Sequence, residues 1–139
     1  MIYVTRKSHF TAAHRLHNPQ KSDEWNRNTY GPCNHPNWHG HNYVIEVTVA
    51  GETDPDTGYV VDLGELKKVI HAKVVSVCDH KNLNLDVDFL QGIIPSAENL
   101  ARAFFLRLEK DIDRITPHGK LFSVRLYETE RNIAEYRED

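Results

Sequence analysis

One thiol and three imidazoles fall within eleven residues of this chain, in the segment Cys33–Tyr43, which reads CNHPNWHGHNY. Three explanations fit such a group of reactive side chains. It is a closed structural zinc site that includes the cysteine, an open catalytic metal site beside a reactive cysteine, or a chance grouping of polar loop residues. The direction in which each side chain points distinguishes the three.

The spacing of the histidines favours a metal site. His39 and His41 are separated only by Gly40, and side chains two apart on a β-strand point to the same side. His14 ends the preceding predicted strand, so an antiparallel pairing of the two strands would bring it to the other two histidines. Three neutral imidazoles bind zinc and leave one position open, as in catalytic sites, whereas Cys33 as a fourth ligand would close the site. A solvated pair of histidines is the alternative without a metal.

Asp79 and His80 are a second candidate pair, at the end of a predicted helix. A carboxylate beside an imidazole is typical of an oriented general acid or base. Neighbouring residues in an extended chain point apart, however, so the two side chains need not touch. A histidine favoured by the helix dipole is the alternative.

Two further reactive side chains lie on apolar patterns. Glu128 would share one face of a strand with Phe122, Val124 and Leu126, and a carboxylate on such a face needs a cationic or N–H-rich partner, of which a ligand is one candidate. Cys78 falls on the apolar stripe of a helix, where a buried inert thiol is expected.

Apolar periodicity predicts four strands and two helices. The strands are expected at residues 2–14, from residue 39 or 41 to about residue 50, at 121–128 and at 133–137, and residues 15–38 are expected to form a long loop. Asp62 and Ser96 are the predicted helix N-caps. The apolar stripes behind them have i, i+4 spacing: Leu66, Ile70, Val74 and Cys78, then Leu100, Phe104, Leu108 and Ile112.

These elements predict an α+β fold in the order β-β-α-α-β-β. Both helices would cover one face of a four-stranded antiparallel sheet. Residues 1–139 are expected to form a single domain, because no linker or internal repeat interrupts the chain. The two open edges of such a sheet favour assembly with other copies.

Composition narrows the class of protein. The formal charge of −3 gives no general attraction to nucleic acid, so no nucleic-acid partner is expected. No apolar run approaches the roughly 20 residues that span a bilayer, and no signal-peptide core is present, which predicts a cytoplasmic protein without a membrane partner. The two cysteines are expected to be free thiols in that compartment.

Six segments, taken in order, resemble the 6-pyruvoyl-tetrahydropterin synthase family, which also contains the 6-carboxytetrahydropterin synthases. They extend from residue 10 to residue 136 and read FTAAHRL, CNHPNWHGHNY, GYVVDLGELK, DHKNLNLD, AENLA and YETERNIAEY. The resemblance implies the T-fold of that family, whose order of elements is the one predicted above. It favours the open catalytic site over a closed zinc knot.

The resemblance also implies roles for individual residues. The matching positions make His14, His39 and His41 ligands of Zn²⁺, and make Cys33 the catalytic thiolate. The remaining matches are the relay partners Asp79 and His80 and the pterin-anchoring carboxylate Glu128. The chain departs from the family at Ser96-Ala97, where relatives often carry two threonines ahead of the Glu-Asn pair, and Ser96 is expected to contact the substrate.

The implied reaction converts 7,8-dihydroneopterin triphosphate to 6-pyruvoyltetrahydropterin with loss of triphosphate. The alternative within the family is 6-carboxytetrahydropterin synthase, of queuosine precursor synthesis, in which the cysteine commonly lies closer to the His-Gly-His motif. Here five residues separate Cys33 from His39, as in the pyruvoyl type. A non-catalytic zinc-binding module is the alternative of another class. The family further implies a homohexamer, a dimer of trimers, with active sites at subunit interfaces.

Overall fold

The protein forms one five-stranded sheet in a computed structural model that describes residues 1–138. The strands are β1 (Ile2–His14), β2 (His39–Gly51), β3 (Lys81–Asn82), β4 (Gly119–Tyr127) and β5 (Ile133–Tyr136), in the spatial order β3-β1-β2-β4-β5. All neighbours are antiparallel except β1 and β3, which run parallel. The α+β prediction is confirmed. The prediction of a four-stranded, wholly antiparallel sheet is wrong because it missed the fifth strand, β3, which runs parallel to β1. A strand of two residues is too short to show a period of two.

Both predicted helices are present, and the structure adds a third. The first, α1 (Asp23–Tyr30), and the 3-10 turn Gly31–Asn34 lie inside the segment 15–38, so the prediction of a continuous loop there is wrong. The second helix, α2 (Leu63–Ile70), continues through a π-helical turn, His71–Val75, and a last α-helical turn, Ser76–Cys78. The third helix is α3 (Ala97–Arg114).

The π-helical turn explains how the predicted stripe of α2 stays on one face. Its four residues are completely buried: Leu66, Ile70, Val74 and Cys78. In a regular α-helix, positions four apart rotate by about 40° at each step, so such a stripe would drift off the sheet. Hydrogen bonds from i to i+5 put more residues into a turn, and this cancels the drift.

The predicted N-caps are also observed. The Asp62 side chain accepts hydrogen bonds from Gly64 N and Glu65 N, and the Ser96 hydroxyl accepts one from Asn99 N. Behind the second cap, the α3 stripe is completely buried at Leu100, Phe104, Leu108 and Ile112. These residues pack with the core-facing side chains of β2 in one hydrophobic core.

A β-bulge changes the facing of β4. The register pairs Thr48 with Ser123 and Val49 with Leu121, so Phe122 is an extra residue without a partner on β2. Its ring lies 4.8 Å from that of Tyr3, whereas Val124 and Leu126 point into the core. The prediction that Phe122 shares their face is therefore wrong, because the bulge reverses the alternation.

The helices of residues 1–138 include none with the length and apolarity needed to cross a membrane. The assignment of residues 1–139 to a single domain stays a prediction.

Candidate active site

The three predicted histidines meet where β1 ends and β2 begins. The antiparallel register places His14 directly opposite His39, and His41 follows two positions along β2. The centroid of the His14 ring lies 4.6 Å from that of His39 and 5.0 Å from that of His41. One ring nitrogen from each residue lies within 4.8 Å of the others. Strand register therefore assembles the group that the His-x-His spacing predicted.

His14 is oriented by its surroundings. Its side chain is almost completely buried, and its Nδ1 lies 2.9 Å from the carbonyl oxygen of Pro95. A carbonyl can only accept, so Nδ1 carries the proton and Nε2 keeps its lone pair. The pKa of His14 is lowered to about 4. Burial is the main cause, the hydrogen bond to Pro95 acts in the opposite direction, and the neighbouring His39 and His41 add smaller contributions that lower the pKa.

The ring nitrogens that face one another lack partners. Among residues 1–138, no hydrogen-bond partner exists for the buried atoms His14 Nε2, His39 Nδ1, His39 Nε2 and His41 Nε2. Burial, followed by the proximity of His41, also lowers the pKa of His39. Buried lone pairs on neutral imidazoles are costly unless something binds them. The arrangement fits a divalent metal ion that imidazole binds well, such as Zn²⁺.

Cys33 lies in the 3-10 turn ahead of β2 and is half-buried. Its carbonyl oxygen accepts a hydrogen bond of 2.9 Å from Leu16 N, which ties the turn to the residues after His14. The set of described side chains close enough to share one ion contains the three histidines and not Cys33. This geometry favours the open site over a closed site with Cys33 as the fourth ligand.

Glu128 lies at the rim of the histidine group. Its carboxylate oxygens are 3.9 Å from His14 Nε2 and 3.9 Å from His41 Nε2, too far for hydrogen bonds. It shares the lining of a cleft of about 820 Å³ with Ser96. The Ser96 hydroxyl accepts the capping bond of α3, which leaves its O–H donor and its second lone pair for a ligand.

Asp79 and His80 form a hydrogen-bonded pair on the outer edge of β1. The distance from His80 Nδ1 to Asp79 Oδ2 is 3.0 Å, although adjacent side chains in extended backbone would point apart. His80 has a left-handed backbone with φ 62°, which turns its ring back to the carboxylate. Hydrogen bonds to the Thr11 N–H and O anchor the pair, and the first of them is the main cause that lowers the pKa of Asp79. The imidazole of His80 is 81% exposed.

The sequence patterns did not predict a role in the site for two residues, Tyr43 and Pro95. Tyr43 lies under the histidine group, with its hydroxyl 3.2 Å from His14 Nδ1, and burial raises the pKa of that hydroxyl. It shares the parity of His39 and His41, so the alternation of β2 contained the signal. The Pro95 carbonyl, which orients His14, left no such signal because any residue supplies a carbonyl.

The fold and the site define a class: an α+β protein with a group of three histidines that could hold a metal ion at the end of its sheet. The family model described as 6-pyruvoyl tetrahydropterin synthase matches residues 3–139. The chain is 43% identical to the 6-pyruvoyl tetrahydrobiopterin synthase of Poecilia reticulata over 135 residues, which cover 97% of this chain and 89% of the relative. The chain therefore belongs to the 6-pyruvoyl tetrahydropterin synthase family, and it is an enzyme of this lyase type.

Two further comparisons bear on fold and subgroup. The solved 6-pyruvoyl tetrahydropterin synthase of Caenorhabditis elegans superposes with a TM-score of 0.89 at 39% identity, over 99% of this chain and 96% of that one. This confirms the T-fold. The 6-carboxy-5,6,7,8-tetrahydropterin synthase of Bacillus subtilis is 28% identical over 137 residues, which cover 96% of this chain and 84% of the relative. The chain thus resembles the pyruvoyl type more than this carboxy type.

Proposed function

We propose that this enzyme converts 7,8-dihydroneopterin triphosphate to 6-pyruvoyltetrahydropterin and triphosphate, and that it depends on zinc. The observation that carries the proposal is the group of His14, His39 and His41, whose ring nitrogens converge without a hydrogen-bond partner among residues 1–138. The identity of 43% to a named pyruvoyl-type relative supports the choice of reaction.

The three histidines would hold the ion, and the hydrogen bond from His14 Nδ1 to Pro95 O keeps His14 in the tautomer that binds through Nε2. A zinc ion bound there would act as a Lewis acid on the side-chain hydroxyls of the substrate and acidify the adjacent C–H bonds. The requirement for neutral rings is met by His14 and His39, whose pKa values burial lowers.

Cys33 would be the base that removes a carbon-bound proton from the substrate side chain. A thiolate is the reactive form of cysteine, and nearby positive charge favours it. Asp79 holds the ring of His80 through Nδ1, which leaves Nε2 free to exchange a proton with the thiol or the substrate. The reaction needs no external oxidant, because the pterin ring gains the hydrogen that the side chain loses.

Glu128 would anchor the pterin ring. A carboxylate accepts two hydrogen bonds in parallel, which matches the amino group and ring N–H of a pterin edge. Its place beside the histidine group and on the cleft wall would seat the ring so that the side chain of the substrate reaches the histidines. Ser96, on the same wall, would donate a hydrogen bond from its hydroxyl group to the substrate.

We also propose a homohexamer in which neighbouring chains share each active site. The edges of the sheet remain largely unpaired, since β3 covers only Ala12 and Ala13 of β1, and β5 is the opposite edge. Closure of three sheets into a ring would pair these edges, and two-fold stacking of rings would give a dihedral hexamer.

The reaction products distinguish this proposal from the carboxy alternative. The similarity to the Bacillus subtilis relative is the observation that supports that alternative. The zinc-loaded protein is incubated with 7,8-dihydroneopterin triphosphate, and the products are identified by mass. Triphosphate with the intact three-carbon side chain on the pterin supports the proposal. Acetaldehyde with the 6-carboxy product would assign the enzyme to the other subgroup, and no turnover would reject both.

A further inference from the structure

We propose that Asn34 is a positioning residue that holds Cys33 in register with the histidine group. This inference rests on the proposed function, in which Cys33 is the base. Asn34 directly follows Cys33 in the 3-10 turn Gly31–Asn34 and is 5% exposed.

The side chain of Asn34 bonds to the segment that follows His14. Its amide nitrogen Nδ2 donates to the carbonyl oxygen of Leu16 over 2.8 Å and to His17 Nδ1 over 2.9 Å. An amide nitrogen only donates, so His17 Nδ1 is the acceptor. Both N–H groups of one buried amide are therefore used to hold the Cys33 turn against residues 16 and 17.

Further hydrogen bonds complete the connection. Leu16 N donates to the carbonyl oxygen of Cys33 over 2.9 Å, and Arg15 Nε donates to the carbonyl oxygen of Asn34 over 2.8 Å. The backbone of Arg15 is held in turn by the side chain of Asn84, through two hydrogen bonds of 2.9 Å. The residue after a metal-site histidine is thus fixed to the Cys33 turn, and the distance between thiol and histidine group depends on these bonds.

Loss of the amide should change catalysis rather than binding. Without Asn34 the partly buried acceptors on Leu16 and His17 lose their donor, and the turn can shift to find other partners. A displacement of about 1 Å between reacting groups costs on the order of 10²-fold in rate. Asn34 supplies no contact to the substrate in this scheme, so the loss should appear in kcat and not in KM.

Asn26 is a matched control within the same segment of the chain. It is also a buried asparagine whose amide bridges backbone groups: Nδ2 donates to the carbonyl oxygens of Asn18 and Ser22, each over 2.9 Å. These bonds hold the start of α1 and do not involve Cys33 or Asn34. Replacement of Asn26 should therefore report the purely structural cost of losing such an amide.

The experiment compares Asn34→Ala with Asn26→Ala in the zinc-loaded enzyme, both in a Cys78→Ala background so that Cys33 is the single thiol. Thermal unfolding, zinc content, kcat, KM and the rate of Cys33 alkylation by iodoacetamide are measured. Both variants should lower Tm and keep zinc. Only Asn34→Ala should lower kcat, by about 10–100-fold with KM within about threefold, and speed alkylation several-fold as the half-buried sulfur is released.

Equal kcat and equal alkylation rates in the two variants would show that Asn34 is merely structural and would overturn the inference. An inactive wild-type protein would instead reject the proposed function, and the alkylation rates would still test the positioning. Asn34→Ser, which keeps one donor, replaces Asn34→Ala if the latter does not fold. It is expected to show the same pattern with a smaller loss of kcat.

Discussion

The histidine group and the Asp79–His80 pair are both attached to the last residues of β1, but they are built differently. His14 is buried, and strand register and a backbone carbonyl fix its ring. His80 lies at the sheet edge with a left-handed backbone, and its imidazole is 81% exposed. The first region is preorganised within one chain. The second holds an oriented imidazole toward solvent, which suits a group that completes a site only after assembly.

The largest effect is expected from the buried region. His39→Ala should abolish both zinc binding and activity, because two imidazoles leave the ion without the third protein ligand that catalytic sites provide. Zinc content after gel filtration and product formation are the measurements. Zinc at the wild-type level in this variant would remove His39 from the ligand set.

Cys33→Ala should abolish most of the activity without loss of the bound zinc. Activity is expected to fall by about 10²–10⁴-fold, since general base catalysis contributes that much, while zinc content and fold stay unchanged. Loss of zinc together with activity would support the alternative of a closed Cys-His₃ site, in which Cys33 is the fourth ligand.

Cys78→Ala is the matched control for that variant. Burial raises the pKa of the Cys78 thiol to about 12, so it is protonated and inert at neutral pH. Its replacement should cost on the order of 1 kcal/mol of stability and leave kcat unchanged.

The exposed region is tested by subunit mixing. Inactive Cys33→Ala and inactive His80→Ala proteins are dissociated, mixed in equal amounts and reassembled. If the two residues reach one site from different chains, random assembly makes about a quarter of the sites complete, and activity returns to about that fraction. Absence of recovery despite proven exchange would place both residues in the same chain's site, and a monomer by light scattering would reject the assembly.

The two regions also differ in how far sequence patterns predicted them. Alternation along β2 predicted that His39 and His41 point to the same side, because burial of one face strongly specifies register. The contact between Asp79 and His80 was not predicted, since it depends on the positive φ of His80, which no local pattern signals.

The missed elements have similar physical causes. The only fully buried residue of α1 is Asn26, so the helix has no apolar stripe, although the Ser22 cap with Asp23 and Glu24 behind it was a usable signal. The bulge at Phe122 and the short β3 are set by tertiary pairing rather than by local sequence.

Glu128→Gln tests the rim of the buried region. An amide cannot accept two hydrogen bonds from the pterin edge, and a hydrogen bond to a charged group contributes about 1.5–3 kcal/mol. KM should therefore rise by about 10–100-fold while zinc content stays at the wild-type level. An unchanged KM would count against the anchor role.

The last effect is a pH dependence of stability that belongs to the buried region. The pKa of His14 is lowered from 6.5 to about 4 in the folded protein, mainly by burial. Between these values the unfolded chain binds a proton at His14 that the folded chain does not, so acidification destabilises the fold. For protein stripped of metal by a chelator, urea unfolding at about pH 7.5 and pH 5 should differ by about 2 kcal/mol from this residue. His14→Gln, which can still donate to Pro95 O, should lose that part of the pH dependence. The same pH dependence in both proteins would show that His14 is not the buried neutral imidazole that the metal site requires.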